Sequence, residues 1–242
     1  MRSEMQANSI KKAARVAGVL YLIIFIVAPF SFFYLRSSII VPGDATSTAN
    51  NIMASESLFR LGIVSDSVVF LTEIVLAAIL YLLFRPVSRI LALVMMFSRL
   101  AEAVIQGVNL LNYGIALLLL SGAGYLTVFE PQQLHALVLV FLDAYEYLVL
   151  VWGIFFGFHL LVLGYLLFKS GYFPRILGIL VLVASAGYLV DSFGNFLFPQ
   201  YHEVFSTVVV ILALPGELLL ALWLLIKGVN VEKWQKRVDQ AV

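Results

Sequence analysis

Cysteine is absent from the 242-residue chain, and charged residues are scarce. Without thiols the chain forms no disulfide, offers no thiolate metal ligand and has no cysteine nucleophile. Charged residues make up 12% of the chain, against roughly 25% in an average soluble domain. The sequence also lacks a phosphate-binding loop, a dinucleotide fingerprint and a basic nucleic-acid surface. These absences exclude thiol chemistry and argue against nucleic-acid binding.

Apolar sequence is what the chain has in abundance. Hydrophobic residues make up 62% of it and occur in blocks of about 20 or more, long enough to cross a hydrocarbon core about 30 Å thick as helices. The connections are too short to form a soluble domain, so any activity must lie in the helices or at their rim. We predict a single all-α domain over residues 1–242, an integral membrane bundle of six transmembrane helices at about 16–35, 61–84, 90–120, 148–168, 176–198 and 205–226.

Lysine and arginine predict the orientation of this bundle. With a cytoplasmic N-terminus, the inner connections hold twelve of the 15 basic residues, and the outer ones hold Arg36 and Arg60. Cytoplasmic connections of membrane proteins are enriched in basic residues, so both termini are predicted to be cytoplasmic. The remaining basic residue, Arg99, lies inside the third span.

Short helices are predicted outside the spans. Asp44 follows Pro42 and Gly43 and is a suitable N-cap for a helix lying on the outer surface. Residues 132–168 form one continuous helical pattern, which we interpret as an outer-surface segment followed by the fourth span. The C-terminal run VEKWQKRVDQAV predicts a basic amphipathic helix that anchors on the cytoplasmic leaflet.

The third span carries an unusual set of polar residues in the run SRLAEAVIQGVNLLNY. At about 100° per residue, five of its side chains lie within an arc of about 80°. They form one polar stripe that runs from the middle of the membrane toward its outer face. Its members are Arg99, Glu102, Gln106, Asn109 and Tyr113.

Other spans place polar residues at matching depths. Those near mid-depth, counted from the ends of each span, are Glu73, Arg99, Glu102, His159 and Glu217, and those nearer the outside are Asp66, Asn109, Asp191 and Asn195. Tyr188 shares the side of span five that carries Asp191. Such residues in a bilayer normally face the bundle interior, so we expect a polar funnel open to the outer side.

Charge counting limits the state of this funnel. Five carboxyl groups accompany the single guanidinium of Arg99, and they would not all stay ionised in a medium of low dielectric constant. Either some of them carry protons at neutral pH or a cation sits among them. The five are Asp66, Glu73, Glu102, Asp191 and Glu217.

Three functions fit this pattern. The first is binding or transport of a small molecule or cation, with or without proton coupling. Glu73, Glu102 and Glu217 would then take up protons or cations, and Arg99 would serve as counter-ion or as anchor for an anionic substrate. The binding residues predicted for it are Asp66, Glu73, Arg99, Glu102, Gln106, Asn109, Asp191, Asn195 and Glu217, with His159, Tyr113 and Tyr188 as contributors.

The second function is a structural, sensing or partner-binding role without transport. The third is an intramembrane metal-dependent hydrolase, for which only His159 lies at a suitable depth. An all-carboxylate site would suit calcium, magnesium or manganese better than zinc. The sequence identifies neither a metal nor a cofactor, and the pattern favours a protein that is not an enzyme.

Several runs resemble one known family over most of the chain, from about residue 13 to residue 234. They are RSSIIVPGDATSTANNIMASESLFRLG, LLFRPVSRILAL, GYLLFKSGYFPRILGIL, GYLVDSF and LALWLLIKGVNVEKW. In order and spacing they resemble the bacterial and archaeal membrane family catalogued as domain of unknown function 4386. The resemblance implies a six-span protein of the prokaryotic plasma (inner) membrane, in contact with the lipid bilayer, and it brings no catalytic residues.

Overall fold

The computed structural model describes the backbone of residues 2–240 and the side chains of residues 8–31 and 34–240. Between residues 2 and 240 the chain contains helices and no strand, which confirms the all-α prediction. A π-helical segment, Phe30–Leu35, joins the first two helices, and single 3₁₀ turns precede the sixth and eighth. The helices are α1 Arg2–Pro29, α2 Arg36–Ile39, α3 Ala45–Ala54, α4 Glu56–Phe84, α5 Arg89–Leu119, α6 Pro131–Ser170, α7 Arg175–Leu197, α8 His202–Ile226 and α9 Val231–Gln240.

Five of the described helical segments are long and apolar enough to cross a membrane. They correspond to the second to sixth predicted spans and are Glu56–Phe84, Arg89–Leu119, Pro131–Ser170, Arg175–Leu197 and Pro199–Ile226. The predicted first span, 16–35, is helical as the end of α1 and the π-helical segment, and its crossing of the membrane stays a prediction. As predicted, α6 is continuous over 40 residues, about 60 Å at 1.5 Å per residue, which exceeds one crossing.

Local chemistry explains where several of these helices begin and end. Asp44 caps α3 as predicted, because its Oδ1 accepts a hydrogen bond of 2.9 Å from the Ser47 amide and its Oδ2 one of 2.6 Å from the Ser47 hydroxyl. These two bonds lower the pKa of Asp44. Gly171 follows the end of α6 at φ +76°, a left-handed conformation that costs glycine little.

The chain divides into two compact units. The first comprises Met1–Ile23, Thr72–Ala103 and Leu150–Val242. Its helices approach closely through glycine: a Cβ on Gly178 of α7 would lie 2.6 Å from the backbone nitrogen of Phe168 in α6. These α6–α7 contacts therefore exclude side chains at Gly178.

The second unit comprises Ile24–Leu71 and Val104–Val149. Its core is built around aromatic stacking, with the Tyr113 ring 4.4 Å from the Tyr145 ring and 5.0 Å from the Phe59 ring. Aliphatic side chains complete this core, namely Leu35, Ile39, Ile52, Val138 and Leu142.

Candidate functional site

Arg99 of α5 is the centre of a buried ionic cluster in the first unit. Its side chain is 1% exposed. Its Nη2 lies 3.7 Å from Oε1 of Glu73 in α4, and its Nη1 lies 3.6 Å from Oε1 of Glu102, one helical turn further along α5. Both glutamates are buried. The guanidinium therefore has a carboxylate from each of two spans, at ion-pair distance but beyond the usual length of a direct hydrogen bond.

Two aromatic rings hold the guanidinium of Arg99 in place. Its Cζ lies 5.5 Å from the centroid of the Tyr21 ring in α1 and 5.3 Å from that of the Phe156 ring in α6. An arginine at this distance from a ring face is attracted by the ring quadrupole. The charge is thus stabilised by four neighbours from different parts of the chain.

Glu217 of α8 brings a third carboxyl group to the cluster. This carboxyl group is half-buried and interacts electrostatically with Arg99 and Glu73, and the Tyr188 side chain of α7 lies beside it. The Tyr188 ring stands edge-on to Phe156 at 4.7 Å. We refer to Glu73, Arg99, Glu102 and Glu217 as the Arg99 cluster.

His159 of α6 lies beside the cluster in a defined tautomer. Its Nδ1 is 2.9 Å from the carbonyl oxygen of Met95, which can only accept, so Nδ1 carries a hydrogen. Its ring is parallel to the Phe156 ring within 8°, with 6.1 Å between centroids. Its Nε2 is buried without a hydrogen-bond partner in the described part of the chain.

Several other polar atoms of the cluster share this property. Within the described residues, Glu102 Oε1 and Oε2, Arg99 Nε and Nη1, and Glu217 Oε1 are buried without a hydrogen-bond partner. Fully ionised, three carboxylates and one guanidinium would carry a net charge of −2. Burying unpaired charge in low dielectric is strongly unfavourable, so the cluster is suited to taking up protons or a cation.

A second polar group, in the second unit, has direct hydrogen bonds. The Tyr145 hydroxyl donates to Asp66 Oδ2 at 2.8 Å and accepts from Gln106 Nε2 at 2.9 Å. Asn109 Nδ2 donates to the Tyr145 carbonyl at 3.0 Å, and Asn112 Nδ2 donates to Asn109 Oδ1 at 2.8 Å. We refer to these residues as the Tyr145 network.

Arg36 is placed against the same tyrosine. Its guanidinium lies 5.3 Å from the Tyr145 ring centroid and forms an ion pair with Glu146. The sequence assigned Arg36 only to an outer connection, so this contact was missed. The only signal in the sequence was its position at the end of an apolar block.

A third group lies at the end of α7. Asn195 Nδ2 donates to Asp191 Oδ1 at 3.0 Å, and His202 Nδ1 donates to Asn195 Oδ1 at 2.8 Å. Among the side chains that the structure describes, no group of three or more histidine, aspartate or glutamate residues is placed to hold a metal ion.

The predicted site residues fall into these three groups. Glu73, Arg99, Glu102 and Glu217 lie together, with His159 and Tyr188 beside them. Asp66, Gln106, Asn109 and Tyr113 belong to the second unit, and Asp191 and Asn195 pair with each other. Sequence reasoning missed the rings of Tyr21, Phe156 and Tyr145, because apolar spans rich in aromatics give no signal for which ring meets a charge.

Comparison with known proteins identifies a family. A model described as domain of unknown function (DUF4386) matches residues 16–228. An Archaeoglobus fulgidus protein described as uncharacterized is 32% identical over 166 residues, which cover 69% of this chain and 83% of that protein. No solved structure matches the chain significantly.

Proposed function

The chain belongs to the DUF4386 family and is a multi-pass membrane protein. We propose that its Arg99 cluster binds protons, and that a small cation or small molecule binds there when the protons are released. The observation that carries this proposal is that Glu73 of α4 and Glu102 of α5 lie 3.7 and 3.6 Å from one buried guanidinium, with Glu217 of α8 near enough to interact electrostatically with it. Ionisable residues at membrane depth mark proton relays and ion pathways in many transport proteins.

The charge balance of the cluster supports exchange between protons and cations. Its net charge of −2 in the fully ionised state is neutralised by two protons or by one proton and one monovalent cation. Each of these states has the same total charge in the same buried volume. Loss of a proton from Glu102 or Glu217 therefore favours entry of a cation, and entry of a cation favours loss of a proton.

The geometry favours the Arg99 cluster over the Tyr145 network as the place of binding. Asp66, Gln106 and Asn109 make direct hydrogen bonds of 2.8–3.0 Å, which hold their polar groups in fixed positions. The ion pairs of Arg99 are 3.6 and 3.7 Å long, and both oxygens of Glu102 have no hydrogen-bond partner among the described residues. Oxygen atoms that accept no hydrogen bond within the protein are able to accept one from a bound ligand.

Proton occupancy is measurable on the purified protein by infrared spectroscopy. Wild-type protein is expected to show a protonated-carboxyl band at neutral pH. Glu73→Gln, Glu102→Gln and Glu217→Gln should change the intensity of this band or its pH dependence, while Glu203→Gln, at an exposed position, serves as control. In liposomes with an enclosed pH-sensitive dye and an imposed potassium diffusion potential, the same three variants should alter proton entry or its dependence on sodium.

The proposal fails if the wild type shows neither a titrating carboxyl band nor proton entry above that of protein-free liposomes. It also fails if all three cluster variants match the wild type in both measurements. A change that is equally large in Glu203→Gln would likewise count against the cluster, because that side chain lies outside it.

A structural role is the second candidate, favoured by the near-complete burial of Arg99, Glu73 and Glu102. In that role the ion pairs hold α4 and α5 together without exchanging protons. The glutamine variants would then lower the free energy of unfolding without changing the carboxyl titration or proton entry. Measuring stability and proton entry on the same preparations separates the two functions.

We further propose six crossings, with both termini on the cytoplasmic side of a prokaryotic plasma membrane. The distribution of lysine and arginine supports this orientation. Because the chain contains no cysteine, single-cysteine variants can be labelled with a membrane-impermeant maleimide without background. Asn50→Cys should react in intact cells, whereas Ser9→Cys and Asp239→Cys should react only after lysis. Labelling of Ser9→Cys in intact cells would refute the proposed orientation.

A further inference from the structure

The C-terminal helix α9 is fixed against the body of the first unit. Asn230 caps it, since its Oδ1 accepts from the Lys233 amide at 3.1 Å. The buried Trp234 donates from its indole nitrogen to the Leu83 carbonyl at 3.1 Å, and the Tyr172 hydroxyl donates to the same oxygen at 2.7 Å. Burial raises the pKa of Tyr172, which therefore remains a neutral donor. The helix thus has a fixed rotation about its axis.

This rotation gives α9 a basic side. Four residues spaced i, i+3, i+4 and i+7 fall within an arc of about 100° on it. The acidic residues of the helix, Glu232 and Asp239, flank this arc about 40–60° beyond Lys236 and do not line the cleft described below, and Asp239 accepts a hydrogen bond from Gln235 at 3.1 Å. We call the first set the basic stripe; it consists of Lys233, Lys236, Arg237 and Gln240.

The basic stripe lines an open cleft together with the end of α6. The cleft has a volume of about 220 Å³ and is completed by Ser170 and Gly171. A Cβ built on Gly171 would have no atom within 4 Å, so that side of the cleft is unobstructed. At about 30 Å³ for each water-sized group, the cleft accommodates a phosphate and several water molecules.

We propose that the basic stripe binds a phosphate-bearing anion in this cleft. Lysine and arginine bind phosphate through charge-assisted hydrogen bonds, and three such side chains converge here. The site lies close to the end of a membrane span, because α9 begins at Val231 and the last span ends at Ile226. Basic clusters immediately next to a span attract anionic lipid headgroups. The inference is independent of the function proposed for the Arg99 cluster.

The competing explanation is that these cations only offset the negative end of the α6 dipole. A helix terminus is neutralised without any ligand, so this explanation predicts no phosphate binding. A general attraction between a basic protein face and anions is a further alternative. It predicts that basic residues elsewhere on the predicted cytoplasmic face contribute as much as the basic stripe does.

The test uses full-length protein in a neutral detergent and native mass spectrometry. Bound phosphatidylglycerol is counted against phosphatidylcholine for the wild type and for the variant Lys233→Gln/Lys236→Gln/Arg237→Gln. The matched control removes three exposed basic residues outside the cleft, as Lys12→Gln/Arg85→Gln/Arg89→Gln. A second arm measures binding of inorganic phosphate and pyrophosphate by calorimetry in the absence of anionic lipid.

Each basic residue near an anionic lipid surface increases the binding affinity about fivefold. The triple variant should therefore bind phosphatidylglycerol about 100-fold more weakly than the wild type, while the control variant retains wild-type affinity. Preferential binding of phosphatidylglycerol alone identifies a lipid headgroup, and binding of inorganic phosphate that is lost in the triple variant identifies a soluble anion. Absence of both, or an equal loss in the control, overturns the proposal. Lys236→Gln alone, a change at an exposed position, should reduce affinity about fivefold and guards against misfolding of the triple variant.

Discussion

Removal of the Arg99 charge should destabilise the protein more than removal of either partner. At 3.6–3.7 Å and an effective dielectric constant of about 20, each carboxylate attracts the guanidinium by about 4 to 5 kcal/mol before desolvation is counted. Arg99→Gln leaves Glu73 and Glu102 buried together without their cation. Breaking a buried pair in this way costs about 3–5 kcal/mol.

Removal of one glutamate has a smaller expected cost. In Glu102→Gln the guanidinium keeps Glu73 and its two aromatic rings, and the repulsion between two carboxylates disappears. The lost attraction is offset by the several kcal/mol of desolvation that the second carboxylate no longer requires. We therefore expect Glu102→Gln to lower the free energy of unfolding by about 1–2 kcal/mol, and the double variant with Arg99→Gln to be more stable than Arg99→Gln alone.

Unfolding in mixtures of dodecyl maltoside and sodium dodecyl sulfate, followed by tryptophan fluorescence, measures these differences at one temperature. Arg60→Gln is the matched control, because its ion pair with Glu56 is exposed and should contribute only about 0.3–0.5 kcal/mol. The reasoning is refuted if Arg99→Gln lies within about 1 kcal/mol of the wild type. It is also refuted if Glu102→Gln is as destabilising as Arg99→Gln.

Three further outcomes follow from the packing and the caps. Trp234→Phe should lose about 0.5–1.5 kcal/mol in the same unfolding assay, because the indole donor to α4 is removed while a ring remains. Gly216→Ala should cost about 1–3 kcal/mol, since its Cβ would lie 2.6 Å from a backbone oxygen of α7, whereas Gly114→Ala has open space and should be neutral or stabilising. Asp44→Ala should speed hydrogen exchange at the Ser47 amide, whereas Asp44→Asn should preserve the slow exchange. Because folding lowers the pKa of Asp44, the stability that the cap contributes is fully present at pH values above the pKa of Asp44 in the unfolded chain. It is lost as the pH falls through the lower pKa of Asp44 in the folded protein.

Helices of this chain were predictable because their signals are local. Apolar blocks of span length fix where a helix must lie, and the observed α5, Arg89–Leu119, differs by one residue at each end from the predicted 90–120. The cap at Asp44 and the continuity of α6 were predictable for the same reason. The first predicted span, which ends in the π-helical segment Phe30–Leu35, is not among the five described helices found long and apolar enough to cross a membrane, so its crossing stays a prediction.

Partners of the polar side chains were only partly predictable. Periodicity places Asp66 and Glu73 on one side of α4, because they are seven residues apart. Asp66 nevertheless accepts a hydrogen bond from Tyr145, while Glu73 pairs with Arg99. The side of a helix on which a residue lies follows from its position in the local sequence. Which neighbouring helix faces that side depends on how the helices pack along their whole length. The contact of Arg99 with Glu102, one turn away on the same helix, was therefore predictable, whereas the choice of Glu73 and Glu217 as its neighbours from other helices was not.

Both buried polar groups contain carboxyl groups, but these differ in how they are bonded. Asp66 accepts a direct hydrogen bond from the Tyr145 hydroxyl at 2.8 Å, whereas Glu102 lies 3.6 Å from the Arg99 guanidinium. Interhelical polar bonds in membranes contribute only about 0.6 kcal/mol on average, while a charged side chain at the bilayer centre costs on the order of 3 kcal/mol to insert. Asn109 ties α5 to α6 through a direct bond to the Tyr145 carbonyl, using a neutral amide. An amide at position 102 would avoid that cost, but it would not neutralise the guanidinium of Arg99, which lies 3.6 Å from Glu102. Three carboxyl groups accompany one guanidinium, so two exceed what neutralising Arg99 requires, and the proposed proton binding depends on this excess.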